Sequence, residues 1–173
     1  MTPLSIRTQH SGARGHSRTL AQPTAAGRQV RTTRELGAQI ETLVRELAPH
    51  LLDEPGVGPL AAAQLLLSWS HPGRFRSEAA FASLAGTAPI PASSGQVIRH
   101  RLNRGGDRQL NRALHTIVIS RLGHHPETKR YAARRTAEGK TPREIRRCLK
   151  RHLARRLYRL LETSTTNTTR PCP

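Results

Sequence analysis

A chain of 173 residues, 35% of them hydrophobic, can bury one core of ordinary size with length left over for tails. Its 29 Lys and Arg against 11 Asp and Glu give a formal net charge of +18, a positive surface field that points to nucleic acid. Aromatics at 3% exclude the bulky apolar wedge of a basic membrane-surface helix, no stretch approaches about 18 consecutive apolar residues, and the N-terminus lacks the apolar core of a secretory signal, so a cytoplasmic protein without membrane contact is expected.

Residues 1–31 mix Thr, Ser, Gly, Gln and Arg without an apolar period and predict a disordered basic tail. From Thr32 or Thr33, read as an N-cap, the spacing of Leu36, Ile40, Leu43, Val44 and Leu47 predicts an amphipathic helix that Pro49 ends or kinks. Residues of about 51–70 then read as a helix-hairpin-helix. Pro55-Gly-Val-Gly58 separates a helix end from an Ala/Leu-rich helix start, and in such a turn Gly56 and Gly58 let backbone N–H groups approach a phosphate. The same residues are also compatible with a simple Gly-rich helix connection.

Ser77 predicts the cap of a short helix closed by Gly86, and Trp69, Phe75 and Phe81 read as core anchors rather than base-stacking groups. Pro89 and Pro91 disfavour helix beyond it. Gln96-Val-Ile-Arg-His-Arg-Leu102 has strand character, which puts Ser93-Ser94-Gly95 at the tip of a loop or short hairpin. Asn103-Arg-Gly-Gly-Asp-Arg108 is a second turn, and Asp107 is placed to cap a helix from Arg108 to about Gly123 whose buried face is Leu110, Ala113, Leu114, Ile117, Val118 and Leu122. A shorter helix follows His124-His-Pro. Thr141-Pro-Arg-Glu144 is a capping box opening a last helix with Ile145, Leu149, Leu153, Leu157 and Leu160/Leu161 on one side and Arg147, Lys150 and Arg151 among the cations over the rest. From about Thr163 a disordered tail is expected. The fold class is therefore mostly α: one helical DNA-binding domain over 32–162 with a short hairpin or loop insertion.

Cys148 and Cys172 suggest neither a metal spacing nor a disulfide framework, and no set of carboxylates converges as two-metal chemistry requires, so no metal or other cofactor is expected in this chain. The chemistry that remains is the central turn. A hydroxyl on a Gly-flanked bend beside Arg99, Arg101, Arg104, Arg108 and Arg112 has what attack on a phosphodiester needs, a nucleophile and fixed cations for the developing charge. His100, between two of those arginines, offers a phosphate contact or proton transfer. Ser-Ser-Gly is also ordinary turn composition, and the residues alone leave both readings open.

In order, Gly56-Val-Gly-Pro59 before a small-residue helix, Arg74-Phe-Arg-Ser77, Ala85-Gly-Thr-Ala-Pro89, Ser93-Ser-Gly95 and Asn103-Arg-Gly-Gly-Asp-Arg-Gln-Leu-Asn-Arg-Ala-Leu114 resemble the C-terminal domain of the IS-one-ten type of insertion-sequence transposases, the bridge-RNA-guided DEDD recombinases. The likeness spans roughly Leu36 to Leu161. It implies DNA as partner, together with a guide RNA and homo-oligomers in full-length relatives. It also implies a serine that becomes transiently joined to a DNA phosphate, mapping onto Ser94 with Ser93 as the neighbouring candidate. Family members carry an N-terminal RuvC-like domain whose acidic residues hold Mg, and nothing in residues 1–31 resembles it, so a truncated transposase, inactive alone, is expected. The other classes of reading are a non-catalytic module binding DNA or structured RNA, and an RNA- or ribosome-associated basic protein.

Overall fold

The computed structural model describes residues 25–92, 100–101 and 103–168. The order is α1 (Ala25–Leu47), α2 (Pro49–Leu52), α3 (Pro59–Trp69), α4 (Glu78–Leu84), β1 (Ile90–Pro91), β2 (His100–Arg101), α5 (Arg108–His124), α6 (Pro126–Ala137) and α7 (Pro142–Thr168). The domain is mostly helical. Its strands are two residues each and antiparallel, with Ile90 opposite Arg101 and Pro91 opposite His100. Among the described residues no helix is long and apolar enough to cross a membrane.

Local chemistry sets the helix ends. The Ser77 hydroxyl accepts from the Ala80 amide, opening α4, and Asp107 accepts from the Gln109 and Leu110 amides, opening α5. At α7 the capping box is reciprocal: the Thr141 amide donates to Glu144 Oε2 at 2.8 Å, and the Glu144 amide donates back to Thr141 Oγ1 at 3.3 Å.

The core gathers Val44 from α1, Leu65 from α3, Phe81 from α4, Leu110, Leu114 and Ile117 from α5, and Leu157 and Leu161 from α7. Burying each such side chain contributes about 1.5–3 kcal/mol before the entropy of ordering it. Phe75, Phe81 and Tyr158 pack ring on ring within 6.4 Å, and Trp69 Nε1 donates to Glu162 at 2.8 Å, so the aromatics are core anchors as expected.

Three expectations about the ends and the first helix are corrected. Helix α1 starts at Ala25, seven residues ahead of the Thr32/Thr33 cap. Thr33 does not cap; its hydroxyl donates to the Gln29 carbonyl one turn back, the bond of a threonine inside a helix. Helix α7 continues through Thr168, past the expected tail start at Thr163, whose hydroxyl likewise donates back to the Arg159 carbonyl. Of the stripe expected on α1, Val44 is buried and Ile40 half-buried, while Leu36, Leu43 and Leu47 are exposed. The period was correct, but three of the five stripe residues lie outside the strip that α3 covers.

A second node lies at the other side of α5. Glu54, 9% exposed, takes Arg121 Nη2 at 2.9 Å and Arg156 Nη2 at 2.8 Å, while Arg121 Nε donates to the Pro55 carbonyl at 2.7 Å. The turn between α2 and α3 is thereby fixed to α5 and α7.

Candidate nucleic-acid interface

The Asn103–Asp107 loop is held tightly against the end of α4. The Asp107 amide donates to the Leu84 carbonyl at 2.6 Å, and Asn103 Nδ2 donates to the Ser83 carbonyl at 3.0 Å. Asn103 Oδ1 accepts from the Gly105 amide, closing the turn on itself. Gly106 sits where the two backbones meet. A Cβ there would lie 2.5 Å from the Gly86 nitrogen and 2.6 Å from the Leu84 carbonyl oxygen, so only glycine fits without movement.

This clamp aims the loop's cations outward. Arg104 and Arg108 are exposed, and between the loop, the Gly86–Pro89 segment and α7 opens a groove of about 750 Å³. One wall supplies Arg101 and Arg104, the end of α6 and the turn after it supply Arg135 and Lys140, and α7 supplies Arg147, Lys150 and Arg151. Seven cations face one carboxylate, Glu144, whose hydrogen bonds from Thr141 hold its pKa below the usual range and keep it turned to the α7 cap. Arg135 is also paired with Glu138. Arg104 and Arg108 share a smaller hollow of about 280 Å³ with Asn111.

The groove floor is tied across 39 residues: Lys150 Nζ donates to Asn111 Oδ1 at 2.8 Å, and Asn111 Nδ2 donates to the Ala85 carbonyl at 2.6 Å. Burial, with Arg147 adding like charge, pulls the Lys150 ammonium below the ordinary lysine pKa.

The residues singled out in the sequence separate into groups. Arg101, Arg104, Arg147, Lys150 and Arg151 line one groove, and Arg108 lies in the adjoining hollow. Ser93, Ser94 and Arg99 lie outside the described residues; strands β1 and β2 flank them in the chain. Arg112 is exposed on α5 but belongs to neither hollow. Gly56, at φ +76°, faces inward, where a Cβ would meet the Ile117 carbonyl and Arg121 at 3.1 Å; Gly58, the N-cap of α3, opens onto free space. Because Gly56 docks at Arg121 and the groove floor at Asn111, the two sites stand about 15 Å apart along α5 at 1.5 Å per residue.

Sequence reasoning missed Arg135, Lys140 and Asn111. The first two could have been found from the cations crowding the α6–α7 joint, whereas no local pattern marks Asn111.

A helical domain organised round a clamped Gly-Gly loop and a cation-lined groove is, by its sequence, a transposase domain: residues 48–133 match the family described as Transposase IS116/IS110/IS902 family. The insertion element IS110 uncharacterized 43.6 kDa protein of Streptomyces coelicolor is 36% identical over 135 residues, covering 76% of this chain and 33% of that protein. The transposase-named protein y4pF/y4sB of Sinorhizobium fredii is 37% identical over 91 residues, covering 47% of this chain and 24% of its own length. The chain belongs to the IS116/IS110/IS902 transposase family, and it spans about a third and a quarter of the length of these two curated relatives.

Proposed function

We infer that this domain binds DNA during transposition of an insertion sequence, seating one sugar-phosphate backbone in the groove beside the β1–β2 limb. The observation that carries this reading is the excess of seven cations over one carboxylate along the groove. Among the described residues Arg104, Arg147 and Arg151 form no ion pair within 4 Å, so their charge is available to phosphates.

The resemblance to serine-bearing transposases supports a further step, in which the hydroxyl of Ser94, or of its neighbour Ser93, attacks a phosphodiester. The serine oxygen–phosphorus bond forms as the bond to the departing strand's oxygen breaks, the hydroxyl proton is lost to water and the departing oxygen takes one up, and Arg99, Arg101 and Arg104 neutralise the charge that grows on the phosphoryl oxygens. Mg belongs, by the same resemblance, to a RuvC-like domain rather than to these residues, as do a guide RNA and oligomer formation to the full-length assembly.

The test is in two parts. Duplex binding followed by fluorescence anisotropy should weaken with salt, log K falling by about 0.9 per log unit for each phosphate neutralised. A flat salt response would reject the groove as a phosphate seat. For the chemistry, the domain is supplied with a metal-binding partner domain from a full-length relative and a nicked substrate, and a protein–DNA adduct is trapped under denaturing conditions. Loss of the adduct in Ser94→Ala identifies the nucleophile. Binding without any adduct would leave a non-catalytic module, and competition by structured RNA better than by duplex would move the partner from DNA to RNA.

A further inference from the structure

We propose that Lys150 is the groove's central phosphate contact and that Asn111 is the positioning residue that holds its ammonium in place. This rests on the groove being a backbone seat and says which side chain fixes the phosphate there.

Among the described groove cations, Lys150 is held from another helix, by Asn111 of α5, whereas Arg135 pairs with Glu138 at the end of its own helix. Its ammonium has three donors, and among the described residues one is used, toward Asn111 Oδ1. Two remain for a ligand oxygen. Lys150 is half-buried, so its position varies less than that of exposed Arg104 or Arg147.

Asn111 is itself immobilised. Its amide nitrogen donates to the Ala85 carbonyl at 2.6 Å and its amide oxygen accepts from Lys150, so the side chain is held by the protein at both ends. What the arrangement presents to a ligand is a point charge at a fixed height, suited to one phosphate oxygen of any sequence. Partial desolvation strengthens that contact, because the same burial that depresses the ammonium's pKa lowers the local dielectric.

The chain Lys150–Asn111–Ala85 also leads directly to Gly86 and the segment that enters β1. A phosphate held by Lys150 is therefore registered against strands β1 and β2, between which Ser93 and Ser94 lie in the chain.

The experiment uses the whole chain and a fluorescent duplex of fixed sequence, with affinity measured across a salt series. Lys150→Gln should reduce the salt slope by about one, as loss of a single phosphate contact does, while Lys129→Gln, on α6 outside the groove, leaves it unchanged. Lys150→Arg, which keeps the charge, should restore the slope. Asn111→Ala should keep the slope, since the charge survives, yet weaken binding several-fold because the ammonium is no longer held. Thermal melts of each variant verify that the fold persists. An unaltered slope in Lys150→Gln, with wild-type binding intact, overturns this assignment alone; failure of the wild type to bind duplex overturns it together with the reading of the groove.

Discussion

The carboxylate of Asp107 accepts the Ser68 hydroxyl on Oδ2 at 2.8 Å while Oδ1 takes the Gln109 and Leu110 amides, so one side chain joins the end of α3 to the start of α5. Gln64 donates to the same serine, and Arg74 to its carbonyl. Asp107→Ala removes both the cap and the cross-link. A loss of about 1–2 kcal/mol is expected in urea titration, larger than the fraction of a kcal/mol for an exposed surface change.

The pH dependence follows from Asp107 and Glu54. Burial would raise both pKa values. It is outweighed at Glu54 by the hydrogen bonds and charges of Arg156 and Arg121, and at Asp107 by the Leu110, Ser68 and Gln109 hydrogen bonds and the Arg74 charge, leaving both below their ordinary range. A lowered folded-state pKa contributes stability that is complete above the unfolded value, about 4, and is lost as pH falls through the lower folded one. Melting temperature should therefore decline steeply below about pH 4. Asp107→Asn should flatten that decline.

Glu54→Ala leaves Arg121, 12% exposed, without its charge partner, and unpairing a buried ion costs about 3 kcal/mol or more. Arg156→Ala should cost under about 1 kcal/mol, because Arg156 is 60% exposed. Both are measured by the emission of Trp69, the chain's single tryptophan, which is buried and should shift to longer wavelength on unfolding.

Gly106→Ala brings a methyl group within 2.6 Å of backbone on two residues, neither of which is a flexible side-chain end. The loop must lift from α4, at a cost of about 1–3 kcal/mol, and Arg104 moves with it, so duplex affinity and thermal stability should fall together.

The two glycines of the α2–α3 turn should separate. Gly56→Ala is strained by its positive φ and by contact with Ile117, and should destabilise. Gly58→Ala has room and an ordinary φ of −91°, so its melt should be nearly unchanged. If the α3 N-terminus contacts a phosphate, Gly58→Ala weakens duplex binding without that loss.

What could be read from the chain was what depends on neighbours in sequence. Ser77, Asp107 and the Thr141/Glu144 box cap the helices the sequence indicates, because a cap is decided within three residues. The apolar face of α5 was legible for the same reason. Leu36, Leu43 and Leu47 show the limit: periodicity says which residues share a face, and only tertiary packing says whether anything covers it. The groove divides likewise. Its cations were visible as composition, but the pairing of Asn111 with Lys150 across 39 positions depends on how α5 meets α7.

His125 ends α5, through its amide to the Arg121 carbonyl, and also opens α6, through its imidazole to the Thr128 amide. Two rods are thus welded at a single residue, with no slack between them. Gaining or losing one amino acid at this joint would turn α6 by about 100° and swing Arg135 off the rim of the groove, so natural length variation should be confined to other connections in the chain.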